Sequence, residues 1–374
     1  MYDEINQETT NKHYQIINLK KYFMKNIIKK VLLAGLIVTT CFFACRKVYH
    51  TPSIVFDVTQ VNLVADTAGL GAAIIDTNLS NAWGLSASPT GIIWISANHK
   101  GVSTIYDNTG KTIRPPVTIP AAVAGQTGAP SGAIFNSTTD FGGSKFIFAS
   151  EDGIVTAWSS GNSAVKVADR SSSNAVYKGL VMAADGGANF LYLTDFKGGK
   201  IDVLDKNFTY VSGKAFSDPG IPAGFAPFNI QNIQGMLYVT YAKQQGPDNM
   251  DDQKGPGNGF VDIFSPSGTF VKRFASQGAL NSPWGISVAP KGFAGEVQTV
   301  LVGNFGDGRI NVFDMAGNYK GQLQENGQPV TIDGLWAIDF LKGNPSTAIF
   351  SDPMYFTAGP SGESHGLFGY LKKQ

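Results

Sequence analysis

Beyond about residue 54, short apolar runs alternate with turns rich in glycine, asparagine and serine, and few stretches carry a helical period. Alternating runs bounded by such turns predict strands. One signal recurs at the head of an apolar strand, a small residue beside an aliphatic one: "NAWGLSAS", "PSGAIFN", "YKGLVMA", "PFNIQNI", "SPWGISVA" and "GLWAIDF". With Gly84, Gly132, Gly179, Asn229, Gly285 and Ala337 as anchors, the spacings are 48, 47, 50, 56 and 52 residues. A second signal follows each first one, a glycine turn that opens an alternating strand, as in "KGVSTIYDNTG", "DGIVTAWSSG" and "DGRINVFDMAG". Between the two lies a further strand: "IIWISAN", "KFIFASE", "FLYLTDF", "MLYVTYA", "TVLVGNF" and "TAIFSDP". Five of the six units add a fourth segment, such as "GTFVKRFA".

Six such units of four strands predict an all-β fold, a six-bladed β-propeller with four-stranded blades. One blade cannot bury both faces of its sheet, so blades must pack round an axis. The sixth unit stops at Gln374 without a fourth strand, while an orphan strand, "VFDVTQVNLVAD", precedes the first unit. These defects are complementary, so the N-terminal strand is expected to complete the last blade and leave no open seam. The glycine-rich "GNFGDGRINVFD" at 303–314 then reads as one copy of a repeated hairpin. It lacks the helix and the Lys-Ser/Thr that a phosphate-binding loop needs. Asn304 is expected at the tunnel and Asp307 in the turn.

The N-terminus changes the picture of where this domain sits. "MKNIIKK" is a short basic region, and "VLLAGLIVTTCFFA" is an apolar run of 14 residues, shorter than the roughly 20 a membrane-spanning helix needs. It ends in "FFAC" and resembles a lipoprotein cleavage box in which Cys45 would be lipidated, although Phe43 stands where a small residue is more usual. An ordinary signal peptide or an N-terminal anchor is the alternative. The expected division is residues 1–23 as an upstream segment, in origin a start-site artefact, 24–44 as a lipoprotein-type signal peptide, 45–53 as a tether and 54–374 as a single propeller. Such a protein would be extracytoplasmic, in the periplasm or on the cell surface, with lipid at Cys45 as its membrane contact. Cys41 and Cys45 are the only cysteines, so the body has neither disulfide nor thiol chemistry.

Composition agrees with strands and turns: 44 glycines, 25 phenylalanines and only 15% charged residues. The first 44 residues hold six lysines and three acids, and the remainder carries 23 bases against 25 acids. That balance gives no electrostatic case for a nucleic-acid partner.

The repeat resembles the six-bladed propellers of the NHL, gluconolactonase and paraoxonase type. More closely, "NAWGL", "ASEDG", "AVYKGL", "PFNIQNI", "GPGNGFVDIF", "LNSPWGI", "LVGNFGDGRINVFD", "IDGLWAI" and "YFTAGP" resemble a family of functionally uncharacterised secreted bacterial proteins. The resemblance implies fold and secretion and no activity. Fold-level relatives hold calcium in the tunnel, and some hydrolyse lactones or esters, a likeness that is analogy only.

Polar residues stand where strands should end round the tunnel mouth. Oxygen donors from several blades suit a hard cation such as Ca²⁺, which nominates Glu151, Asp195, Asn304 and Asp352 as ligands, with Asn98 and Asn229 as alternates. Hairpins need the same residue types for their turns, so a metal-free reading stands beside this one. His99 and His365 fall in loops of the first and last units and are the candidate general base and partner, or simply exposed loop histidines. The 17-residue insertion "KQQGPDNMDDQKGPGNG" at 243–259 does not match an EF-hand. It reads as a surface loop, or as a lid or partner contact. Two functions follow: a ligand- or protein-binding module using the tunnel mouth, or a calcium-dependent hydrolase of lactones or aryl esters.

Overall fold

The computed structural model describes residues 24–25, 56–341 and 353–374. Two compact units divide the chain, 1–53 and 54–374. Of the first, only Met24 and Lys25 are described, so Cys45 and the expected signal and tether lie outside the described residues. No described helix is long and apolar enough to cross a membrane.

The second unit is built almost wholly of strands. Four antiparallel sheets follow one another in the chain, each of four strands. The first holds Ala82–Ala87, Ile93–Ala97, Val102–Tyr106 and Val117–Thr118, and the second Pro130–Phe135, Phe146–Ser150, Ile154–Trp158 and Val165–Asp169. The third holds Tyr177–Asp185, Ala188–Asp195, Lys200–Leu204 and Tyr210–Val211, and the fourth Phe225–Ile233, Met236–Lys243, Gly259–Phe264 and Phe270–Ser276. Pro283–Ala289, Thr299–Asn304, Ile310–Asp314 and Tyr319–Glu325 make a fifth set. The last set is Leu335–Asp339, Met354–Ala358 and Leu367–Lys373, and the N-terminal strand Phe56–Ala65 pairs antiparallel with the last of these. The start of that N-terminal strand also runs parallel to the fifth set, Phe56 opposite Leu323, so the last two sets form one continuous sheet.

The sequence pattern places the second strand of the sixth unit in "TAIFSDP", but that strand is Met354–Ala358. Asp352 therefore precedes the strand instead of ending it, and lies outside the described residues.

The repeat anchors have a common structural meaning. Each innermost strand carries a bulge at its anchor, with the pairing register shifting between Ala82 and Leu85, Pro130 and Ala133, Tyr177 and Gly179, Pro227 and Asn229, Pro283 and Gly285, and Leu335 and Ile338. A bulge turns the strand more sharply and leaves one residue unpaired. At that point the strand meets the innermost strand of the next sheet. A Cβ on Gly84 would stand 2.1 Å from the Ser131 carbonyl, and one on Gly285 would stand 2.6 Å from that of Trp336. The anchors are small because the neighbouring backbone occupies the place of a side chain.

Threonines on the second strands tie these bulges across sheets. Thr194 accepts a hydrogen bond from the Gly179 N–H at 2.7 Å and donates to the Phe228 carbonyl of the next sheet at 3.2 Å. Thr357 accepts from the Ala337 N–H at 3.1 Å and donates to the Trp83 carbonyl, which links the last set of strands to the first. In the fourth sheet the anchor is itself polar, and Asn229 donates to the Trp284 carbonyl at 2.8 Å. Apolar clusters fill the spaces between successive sheets. Trp94 stacks on Phe146 between the first and second, for example, with ring centroids 4.1 Å apart.

Two predictions follow from this packing. Thr357→Val keeps the shape but leaves the buried Ala337 N–H and Trp83 carbonyl without that partner, and should cost about 2–3 kcal/mol in urea denaturation. The second concerns Asp262, fully buried and bound, together with Asp218, by the Arg273 guanidinium. Burial pushes its pKa up to about 7, against the opposing pull of Arg273. A carboxyl whose folded pKa lies above its unfolded one contributes most at acidic pH, and its contribution falls as pH rises towards 7. Stability of the native chain relative to Asp262→Asn should therefore decline across that window, measured by urea titration at several pH values.

Candidate functional site

The innermost strands start, and the second strands end, at one face of the unit. There the residue before the anchor throws an aromatic ring inward in four of the six sets of strands: Trp83, Phe228, Trp284 and Trp336. Trp83 and Trp336 stack with centroids 3.8 Å apart, and Phe305 stacks on Trp336 at the same distance. Two rings cannot share one face at that spacing, so Trp336 is sandwiched between them. Its indole N–H donates to the Asn81 side-chain carbonyl at 2.9 Å. All three rings are buried.

A polar cluster covers this floor. The Lys178 ammonium lies 5.1 Å over the Trp83 ring, and Lys178 is only 2% exposed. It pairs with Glu151 at 2.5 Å and with Asp251 at 3.3 Å. The other Glu151 oxygen accepts from Asn98 at 2.8 Å. Asn81 donates to Glu363 at 2.9 Å and lies 3.4 Å from the Asn98 side-chain oxygen. On the Phe305 side a second ammonium, Lys254, lies 3.9 Å over the ring. Side chains from the first, second, third, fourth and last sets of strands thus meet at one place. Asn81 can take part because it adopts a left-handed backbone (φ 48°), a conformation asparagine tolerates better than most residues.

The electrostatics follow from burial. Desolvation opposes the charge on Lys178, but the fields of Glu151 and Asp251 outweigh it and hold its pKa above the usual lysine value. The amine stays protonated and is no nucleophile. Burial raises the pKa of Glu363, against the opposing pull of Lys178 and assisted by Glu151. Asp252, also buried, is raised by desolvation, with Ser282, Lys178 and Lys254 pulling the other way.

Of the residues nominated from the sequence, Glu151 and Asn98 belong to this cluster. Asp195 does not: one of its oxygens accepts the Val176 and Gly198 N–H groups, each at 3.0 Å, and the other lies 3.5 Å from Lys200. Asn304 is spent on its loop, donating to Ala279 at 2.8 Å and to Asp307 at 3.0 Å while accepting the Asn281 N–H at 3.1 Å. Asn229 lies within its strand and spans two sheets. Of the nominated donors that are described, Glu151 faces a buried ammonium, and the oxygens of Asp195 and Asn304 are engaged elsewhere. Among the described residues no three His, Cys, Asp or Glu side chains are grouped to hold a metal.

His99 and His365 bracket Asn81 without forming a base–partner pair. His99 Nε2 is 3.5 Å from the Asn81 amide nitrogen, whereas His365 gives its carbonyl to the Asn81 N–H at 3.0 Å. The His365 ring instead lies 3.3 Å from Asp66, at the end of the N-terminal strand. Glu363 and the three-ring stack escaped sequence reasoning. The repeated aromatic before the anchor in "AWG", "PWG" and "LWA" is the signal that could have found the stack; Glu363 sits in a loop with no repeat counterpart.

No protein-family model matches the chain. Two uncharacterised proteins of Acanthamoeba polyphaga mimivirus are each 33% identical to it over 333 residues, covering 84% of this chain and 80% and 86% of theirs. These relatives are viral, unlike the secreted bacterial proteins that the motifs suggested. Among solved structures, the soluble aldose sugar dehydrogenase of Escherichia coli matches with a TM-score of 0.53 at 14% identity, over 85% of this chain and 100% of that one. The calcium-binding protein regucalcin of Agrobacterium tumefaciens matches with a TM-score of 0.50 at 13% identity, over 86% of this chain and 97% of that one. At such identities the likeness is one of fold alone, and the fold is all-β and of the propeller type.

The cluster's balance can be tested directly. Glu151→Gln leaves the Lys178 ammonium buried with a weaker partner and should cost about 2 kcal/mol in urea denaturation. Adding Lys178→Met to that background removes the stranded charge and should recover part of the loss.

Proposed function

We propose that this chain, which belongs to the same family as the two uncharacterised mimivirus proteins, is a closed six-bladed propeller that binds a ligand at the Lys178 face. Six anchor bulges, Thr357 bonded to the first sheet, and the N-terminal strand paired beside Leu367–Lys373 support the ring. The observation that carries the binding reading is the meeting of Asn81, Asn98, Glu151, Lys178 and Glu363, from four different sets of strands, over a buried aromatic floor. Packing alone would not require so many polar groups in one place, and burying a charge is costly unless it is paired. Convergent polar groups at the mouth of a rigid scaffold are a usual setting for recognition.

The hydrolase alternative is not favoured. It needs a cation among oxygen donors, and the strongest donor, Glu151, is committed to Lys178. The basic segment and apolar run before Cys45 support a lipid tether at that residue, which would hold the propeller at a membrane surface from outside the cytoplasm.

The binding reading is tested by thermal-shift screening of the full chain against small-molecule libraries of neutral, cationic and anionic compounds. Ligands of this face should raise Tm by several degrees at saturation and lose that effect in Asn81→Ala. Compounds that stabilise both proteins equally, or no stabilising compound in any class, would overturn it.

A further inference from the structure

The insertion at 243–259 is the longest departure from the repeat, and it returns to the mouth. It leaves the fourth sheet after Met236–Lys243 and folds back on itself as an arm. The Gln245 N–H donates to the Asp251 carbonyl at 2.8 Å, and the Gln253 N–H to the Lys243 carbonyl at 2.7 Å. Gln244 anchors the base through its side-chain donation to the Phe196 carbonyl at 2.7 Å. The returning limb presents Asp251, Asp252 and Lys254 in turn.

Asp251 is unusual among the partners of Lys178. Its side chain is 76% exposed, yet its carboxylate reaches an ammonium whose own side chain is 3% exposed. Glu151 reaches the same lysine from the rigid end of a strand; Asp251 does so from an arm bounded by an open cleft along Gln245, Gly246, Asp252, Gln253 and Lys254. An exposed carboxylate gains little from one ion pair, because water solvates it well and the side chain loses freedom. The lysine, by contrast, needs acceptors. The contact therefore serves Lys178 more than it serves Asp251, and another carboxylate could take its place.

We propose that Asp251 occupies the position of a ligand carboxylate, and that the arm at 244–258 closes the mouth by this mimicry until a carboxylate-bearing small molecule displaces it. This rests on the reading that the Lys178 face binds a ligand, and it adds the ligand's chemical class. Exchange of one carboxylate for another leaves the charge around Lys178 unchanged, so no new charge is buried. A cationic ligand would add a like charge beside the ammonium, and a neutral one would replace a charged acceptor by a weaker one. Because Asp251 is tethered, it competes at an effective concentration in the millimolar range, which lowers the apparent affinity of any free carboxylate.

The test is isothermal titration calorimetry of the full-length chain with succinate, with acetate, and with neutral succinamide as control. In Asp251→Asn the tethered competitor is gone, and succinate should bind about tenfold more tightly than to the native chain; succinamide should bind neither. Lys178→Met should abolish succinate binding in both backgrounds. Because Lys178→Met could fail to fold, amide hydrogen exchange of the native chain gives a second readout: succinate should speed exchange at Gln245 and Gln253, whose N–H groups are bonded within the arm. Equal succinate affinity in the native chain and Asp251→Asn would overturn the mimicry. So would an arm whose exchange succinate leaves unchanged, or Asp251→Asn that binds no carboxylate. The wider binding reading would survive each of these results if the screen finds neutral or cationic ligands sensitive to Asn81→Ala, so the two failures are distinguishable.

Discussion

The close approach of neighbouring innermost strands at their bulges is the constraint on which the rest of this structure depends. Sheets can stand side by side round an axis only if their inner edges nearly touch, and a side chain at that point would overlap atoms of the next strand. Glycine meets the requirement in four sheets, and Ala337 in the last set is nearly as small. Asn229 meets it differently, turning its side chain into the cross-sheet hydrogen bond itself. The bulges also leave backbone groups unpaired, and buried groups of that kind are costly. The second-strand threonines resolve this by accepting within their own sheet and donating to the next. Packing and hydrogen bonding are thereby satisfied by the same few atoms.

The same bulges create the site. A residue just before the bulge is swung towards the axis, and in four sets of strands it is aromatic, which brings buried rings together at the mouth. A floor of that kind offers no solvation, so a charge above it must be paired by the protein. Lys178 is so paired, by carboxylates carried on other sheets. Its partners are in place only when the sheets hold their register, which makes the polar cluster a consequence of the packing beneath it. A cation is thus already built into the mouth as a side chain.

Much of the strand order was legible because the anchor positions are forced by backbone proximity, and that force repeats along the chain. The misplaced strand of the last unit shows where local pattern fails. "TAIFSDP" and "MYFTA" are both apolar runs next to turns, and nothing in either run alone ranks them. Their threonines do: Thr357 lies in "YFTA" as Thr194 lies in "YLTD" and Thr240 in "YVTY", and each accepts the N–H of its sheet's anchor. At the site, Glu151 and Asn98 were legible as polar residues ending strands. Asp195 and Asn304 share that description and do something else, because a carboxylate or amide at a strand end can equally well satisfy the N–H groups of its own turn. Only the spacing of acceptors in three dimensions separates the two uses.

The arm at 243–259 shows how a repeated scaffold acquires an individual feature. A repeat with near-equal spacings gives several similar strand ends round the mouth, none privileged over the others. The spacing of 56 residues is the longest of the five, and the extra chain does not wander over the surface. It folds back with its own backbone hydrogen bonds, so that Asp251 reaches the buried Lys178 while Lys254 lies over Phe305 at the other end of the ring stack. The two contacts place opposite charges at the two ends of one aromatic column. Each contact draws an exposed, well-hydrated side chain against a buried surface, and the backbone bonds that aim the arm reduce the entropy each must lose. The architecture supplies the floor and the lysine; the insertion supplies the groups that contact them.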